Sequence, residues 1–520
     1  VILWTAVVVF LVLFTLVTVM GFLATRWRPC DLNDIHEWAL AGRGFGTFVS
    51  WFLIGGDLYT AYTFIAVPAL VYGVGSVGFF AVPYTTIVYP LVFIFAPRFW
   101  LVAKNRGYIT YADFARERFD SRALAFAVAV TGILATMPYI ALQLVGMQVV
   151  IAGLGFTGQG LAGDLPVIVA FAILAAYTYR GGLRAPAMVA FVKDALIYVT
   201  IIGASIFLVS KLGGFAHIFQ TAGAVLAQRP KPGAIILPPQ SFSAYATLAL
   251  GSGLALFMYP HSITGVLSAK NTAVVRRNMA LLPAYSVLLG VTALFGYMAI
   301  VAGIHTQSPS AVVPMLFVKM FPQWFVGMAF AAIAIGALVP AAIMSIAAAN
   351  LFTRSIYKEY VNPACSGTQE TRVARFASLA VKAGALLFVL FLPTQFAIYF
   401  QLLAGAWILQ TFPTIVIGLY TRFFHRRALF IGWLAGMVAA TWMGIVSNFT
   451  PTITLHFGGL ALPGYIGLFA LTFNLIVTAL CSFIFDGVKM PRGLDATRPE
   501  DYRADSSDVS RTGVRKIIVT

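Results

Sequence analysis

Apolar runs of about 20 residues recur along almost the whole chain, separated by short polar stretches, and a helix of that length crosses the hydrocarbon of a bilayer. The pattern predicts an all-α integral membrane protein of about thirteen transmembrane helices, at 1–24, 44–73, 77–103, 123–154, 163–180, 187–211, 243–268, 278–304, 322–356, 373–393, 395–421, 427–447 and 462–486. The first run has no basic flank ahead of it and no small-residue cleavage site, so it reads as a spanning helix. Two spans carry backbone breakers in their middles. The second contains Gly55-Gly56-Asp57, and the seventh contains Gly251-Ser252-Gly253 followed by Tyr259-Pro260-His261. Broken helices survive in lipid only where protein or a water-filled cavity satisfies the freed backbone groups; a single glycine pair reads equally well as a site of close helix packing. These two lie five spans apart, the spacing expected of two five-helix repeats at 44–211 and 243–421. An odd number of spans per copy inverts the second repeat, and the discontinuous second and seventh spans then meet at a midplane site. Residues 1–24 are left as an extra N-terminal helix, 427–487 as two C-terminal helices, and 488–520 as a polar cytoplasmic tail.

Composition sharpens this picture. Only 10% of the residues are charged, against about 25% in a soluble domain. The net charge of +17 would suit a nucleic-acid binder, but its distribution does not. Basic residues gather in alternate loops, as at Arg98, Lys104 and Arg106 or at Arg422, Arg426 and Arg427, whereas 72–76, 153–164 and 448–459 carry none. That alternation follows the positive-inside rule and predicts an outer N-terminus and a cytoplasmic C-terminus. The longest outer loop, 213–241, holds four prolines and is expected to pack as a cap. Cys30, Cys365 and Cys481 fit neither a disulfide framework nor a zinc pattern. No metal cluster, nucleophile motif or phosphate loop points to an enzyme or a cofactor.

Ionisable residues inside spans are costly and mark either function or a paired, packed position. Asp57 sits at the break of the second span, where it reads as a coupling-ion residue or as a cap of the second half-helix. Lys193 and Asp194 lie inside the sixth span, as part of a site or as an interfacial pair reaching the surface. Lys382 in the tenth is a packing residue or a ligand for a carboxylate. A small anionic solute would need polar donors near the midplane, for which Gly56, Tyr62, Thr63, Gln143, Tyr259, His261, Gln401 and Gln410 are the candidates. Trp100, Trp324 and Trp433 read as interfacial anchors.

Several short motifs resemble the sodium:solute symporter family. Glu37-Trp38-Ala39-Leu40-Ala41-Gly42-Arg43 is similar to its (D/E)-x-x-LAGR stretch, and Asp57 follows it. Phe95-Ala96-Pro97-Arg98, Gly107 to Phe114, Gly181-Gly182-Leu183, Pro260-His261 and Phe352 to Tyr357 follow in the family's order. Gly55 to Gly73, Phe191 to Asp194 and Leu409 to Pro413 look most like the bacterial monocarboxylate permease branch. The resemblance implies a LeuT-like five-plus-five fold in the bacterial inner membrane and symport of lactate, pyruvate, acetate or alanine with a cation, by alternating access. It also implies a cation site built from carbonyls near Gly55 and Leu58, from Asp57, and from a hydroxyl pair on the helix around Ala342 and Ser345, with Asp194 nearby. The pair aligns either with Ser345-Ile346 or with Val339-Pro340, and neither register restores both hydroxyls. An incomplete oxygen cage beside Lys193 and two carboxylates favours H⁺ over Na⁺ as the coupling ion. The alternatives are a Na⁺-coupled symporter of another small solute, such as an amino acid, and a solute-sensing membrane protein.

Overall fold

The computed structural model describes residues 2–26, 31–156, 161–230, 232–391 and 397–503. Among them eleven helices are long and apolar enough to cross a membrane, and two pairs of shorter helices, bent by 42° and 49° at a break, bring the count to thirteen. α1 (Trp4–Leu23) is followed by the short α2 (Ile35–Leu40), and the second span is α3 (Thr47–Leu58) plus, after a wide turn at Tyr62–Ala66, α4 (Val67–Val74). α5 (Ala81–Arg106) crosses back, α6 (Tyr111–Phe119) is a connecting helix, and α7 (Arg122–Gly153), α8 (Leu161–Gly181) and α9 (Arg184–Lys211) complete the first half.

α10 (Gly214–Ala227) belongs to the long loop, whose remainder bonds over the end of the second span through Ser76 N to Ala234 O at 2.7 Å and Arg229 to Tyr72 O. The expected cap is therefore a helix with an extended return. The seventh span is α11 (Phe242–Leu256) plus α12 (Pro260–Leu267), and the eighth runs through α13 (Thr272–Leu281), α14 (Pro283–Ala293) and α15 (Phe295–Val301). α16 (Val312–Met320) precedes α17 (Gln323–Phe352); α18 (Gly367–Phe391), α19 (Ala397–Ile408) and α20 (Gly418–Tyr420) follow. α21 (Arg426–Val446) and α22 (Ile466–Gly487) pack on one another as the last two spans. Between them a hairpin of β1 (Thr452–Phe457) and β2 (Leu460–Tyr465) turns at Gly458-Gly459, both at positive φ. The last span consequently begins at Ile466 rather than 462, because the two-residue glycine turn lets an apolar stretch pair as strands.

α17 is the centre of the molecule: 94% of its apolar window is buried, and it packs on α1, α7, α9, α12 and α18. Its alanine-rich sequence lets neighbouring backbones approach closely. The motif around Arg43 is a clamp beside the second span. Ala41, Gly42 and Arg43 all take positive φ, and the Arg43 guanidinium donates to Leu267 O (3.0 Å), Ala103 O (3.2 Å) and Tyr108 O (2.5 Å), tying the ends of α12 and α5 together. Trp100 is fully buried and donates from Nε1 to Ala269 O at 2.9 Å, so it is a packing residue and not an interfacial anchor. Trp324 is exposed, as an anchor would be. Residues beyond α22 run along the same basic face, where Asp495 meets Arg118 at 2.6 Å and Tyr502 covers Arg98 at 4.7 Å.

Candidate functional site

The two breaks face each other in the interior, and six of their backbone groups find a specific side-chain partner. At the first, Ala61 N donates to Gln143 Oε1 (3.2 Å) and Tyr62 N to Thr60 Oγ1 (3.0 Å). The carbonyls of Gly56 and Tyr59 accept from Lys193 Nζ at 2.7 and 3.1 Å. At the second, Tyr111 Oη donates to Phe257 O (2.6 Å) and Ser262 Oγ to Leu256 O (3.0 Å). Side chains thus satisfy several backbone groups of this membrane-buried irregular backbone, the condition under which it persists. The carbonyls that accept from the ammonium, Gly56 and Tyr59, are the chain neighbours of Gly55 and Leu58, whose carbonyls the resemblance implies for a cation site. Gly55 O still accepts from Tyr59 N within the α3 end, and Leu58 is simply buried.

Both glycines are required by close approach. A Cβ on Gly55 would lie 2.3 Å from the Tyr285 ring, and one on Gly56 2.8 Å from Lys193 Nζ. The lysine ends in a closed cluster. Its ammonium lies 2.8 Å from Asp194 Oδ1, and Asp194 Oδ2 accepts from Tyr285 Oη at 2.9 Å. Tyr285 is held in turn between the rings of Trp51 and Tyr59, each at 4.6 Å. Lys193 is wholly buried and does not reach the surface. Asp57, on the next residue of α3, is different: it is 2% exposed, neither carboxyl oxygen accepts a hydrogen bond, and Oδ2 lies 3.8 Å from His261 Nε2 on α12. The Thr63 hydroxyl is likewise buried without a partner.

Beside this pair a small cavity is lined by Tyr62, Tyr84, Tyr139, Ser252, Tyr259, Gln401 and Tyr465, among others. Its volume is about 20 Å³, room for about one water, so the tyrosines must part before an organic solute fits. Tyr259 Oη donates to Gln401 O (3.2 Å), while Ser252 Oγ and Gln401 Oε1 have no hydrogen-bond partner.

The remaining candidates lie elsewhere. Gln410 donates to Ala406 O (2.8 Å) and accepts from Asn474 (3.2 Å), so it joins α19 to α22 away from the cavity. Gln143 serves the backbone of the first break. Lys382 is buried and donates to Ser378 Oγ (2.7 Å), which donates to Ser345 Oγ (3.3 Å), which in turn donates to Ala342 O (2.8 Å). This chain is separate from the Lys193 cluster. Sequence reasoning missed Thr60, Tyr84, Tyr139, Tyr285 and Tyr465. Thr60, Tyr84 and Tyr285 stand beside other hydroxyl residues, Tyr59, Thr85 and Ser286, while Tyr139 and Tyr465 are single, and in neither case does a local signal separate them from packing residues.

A family model described as "Sodium:solute symporter family" matches residues 38–437. The chain is 53% identical over 477 residues to a "Monocarboxylate transport permease protein" of Rhizobium johnstonii, covering 92% of this chain and 96% of that protein. It is 34% identical over 467 residues to the Bacillus subtilis "Uncharacterized symporter YodF", covering 88% and 91%. Among solved structures, a Na⁺-coupled sialic acid symporter in a substrate-bound outward-open state superposes with a TM-score of 0.74 at 14% identity, over 94% of this chain and 98% of that one. The nucleobase-cation-symport-1 family transporter Mhp1, closed on bromovinylhydantoin, gives 0.55 at 13% identity, over 91% and 99%. At such identities the likeness is one of fold, and the fold is that of LeuT-like symporters with paired broken spans. With its helix breaks, their partners and these relatives taken together, the chain belongs to the sodium:solute symporter family.

Proposed function

We propose that this protein is a secondary active symporter of small monocarboxylates, lactate and pyruvate foremost and acetate or alanine beside them, driven by a proton gradient through alternating access. The halves 44–211 and 243–421 are the two inverted repeats, and the basic loops put the C-terminus on the cytoplasmic side of a bacterial inner membrane. The substrate class is supported by the 53% identical permease.

One observation carries the choice of ion: the Lys193 ammonium occupies the carbonyls of Gly56 and Tyr59, where the backbone at the break would otherwise ligate a metal cation. A Na⁺ placed about 4 Å from that ammonium would meet a repulsion of about 4 kcal/mol at an effective dielectric of about 20. Family membership favours Na⁺ as the second reading. Purified protein in liposomes, with H⁺ and Na⁺ gradients imposed independently, separates them. Uphill lactate uptake should follow an inward H⁺ gradient without Na⁺. Uptake that needs Na⁺ and survives collapse of the pH gradient overturns proton coupling, and the absence of uptake of any short acid overturns the substrate class.

A further inference from the structure

We infer that Asp57 and His261 form a single proton-binding site that bridges the two broken spans, and that Asp194 takes no part in it. The inference deepens the proton-coupled reading above and rests on it. The two buried carboxyls of the region have opposite surroundings. Asp194 has both oxygens engaged, one by the Lys193 ammonium at 2.8 Å and one by the Tyr285 hydroxyl at 2.9 Å, so its charge is matched and it stays a fixed counter-ion. Asp57 has neither oxygen hydrogen-bonded, and both ring nitrogens of His261, itself fully buried, lack a partner as well. Two orphaned groups that face each other at 3.8 Å across the breaks lack what one proton supplies: a donor between an oxygen and a nitrogen that otherwise both accept.

The surroundings leave few competing groups. Lys193 and Asp194 on α9 neutralise one another, α7 contributes Tyr139, the α11–α12 break contributes Tyr259, and α5 contributes Tyr84. α17, packed on both α3 and α12, carries no titratable side chain along its length. The Tyr139 and Tyr259 rings that wall the cavity each lie 5.3 Å from the imidazole, which places the site directly behind the space a substrate would enter. In the unloaded site a carboxylate faces a neutral imidazole. One H⁺ from outside binds between Oδ2 and Nε2, cancelling the charge that would repel an incoming carboxylate, and its release inside restores both groups with no other bond made or broken. Proton binding thus precedes anion binding, and the shared proton draws α3 and α12 together.

Infrared difference spectra between acid and alkaline pH, taken on the wild-type protein without substrate, test the site itself. A carboxylic acid C=O band and imidazole ring bands should change together, with one apparent titration; the acid band should vanish in Asp57→Asn and shift in His261→Gln. Wild-type spectra in which no carboxyl band titrates with the imidazole overturn the inference without recourse to any variant, as does an acid band that is the same in His261→Gln. Coupling is read separately, from the protons taken up when L-lactate binds in a weakly buffered dye solution: about one per lactate in wild type, none in Asp57→Asn. Na⁺-driven uptake with no proton taken up on lactate binding would sink the coupling reading alone, leaving the infrared result to judge the site.

Discussion

Replacing Lys193 by alanine removes the ammonium that satisfies two carbonyls and one carboxylate. At 2.8 Å from Asp194 the attraction is about 6 kcal/mol for an effective dielectric of about 20, offset in the native protein by the cost of burying both ions. Removing one member of such a pair typically costs about 3–5 kcal/mol, because the other is left buried and unpaired. The carbonyls of Gly56 and Tyr59 lose their donor at the same time, a loss of about 1–3 kcal/mol that overlaps with the first. The vacated space would then present two carbonyl oxygens and a carboxylate, all ligands suited to a hard cation. Lys193→Ala should therefore be strongly destabilised in Na⁺-free medium and recover in Na⁺, by about 2.7 kcal/mol when Na⁺ stands at a hundred times its dissociation constant. The assay is thermal unfolding in detergent with NaCl or with N-methylglucamine chloride at equal ionic strength. Wild type should show no difference between the two salts. A variant as stable as wild type without Na⁺, or an equal Na⁺ response in both proteins, would refute the idea that the ammonium stands in for a cation.

Three further substitutions probe the same architecture. Gly55→Ala pushes a methyl group to within 2.3 Å of the Tyr285 ring; it should cost about 1–3 kcal/mol and release Tyr285 from Asp194, seen as a lower unfolding temperature together with slowed uptake. Gln143→Leu leaves Ala61 N–H unpaired at the break, and a loss of about 1–3 kcal/mol should appear as faster amide exchange confined to residues 59–62. Gln410→Leu breaks the link between α19 and α22 and should lower stability while leaving lactate affinity within about twofold of wild type; a large affinity loss would return Gln410 to the substrate site.

The breaks were legible only in part: Tyr259-Pro260 marks the second, but Gly55-Gly56 and Gly251-Ser252-Gly253 lie inside the continuous α3 and α11, where they admit close packing, and the chain breaks after Leu58 and after Leu256. Asp57 was legible because a lone carboxyl there has no surface to reach. The partners of the breaks were not. Gln143 and Gln410 look alike in sequence, each a single amide in an apolar helix, yet one caps a broken span and the other ties two helices together. Trp100 looked like an anchor because it lies near the end of a span, but its face of α5 turns inward and its N–H meets the end of α12. Tyr285 gave no sign at all, since a tyrosine in a mid-span helix is ordinary until the opposing residue is known to be glycine and the next helix to carry an aspartate.

Hydrophobic runs, alternating basic loops and two breaks five spans apart determined the membrane class, the number of spans and the fold, because hydrocarbon forces backbone pairing inside each helix and so makes span length and loop charge readable one segment at a time. The tertiary structure alone decided which carboxyl is paired and which is left open, and that the lysine of the sixth span reaches the carbonyls of the second. Hydrogen bonds and ion pairs between helices depend on rotation about each axis and on depth in the bilayer, and a run that is apolar on every side encodes neither.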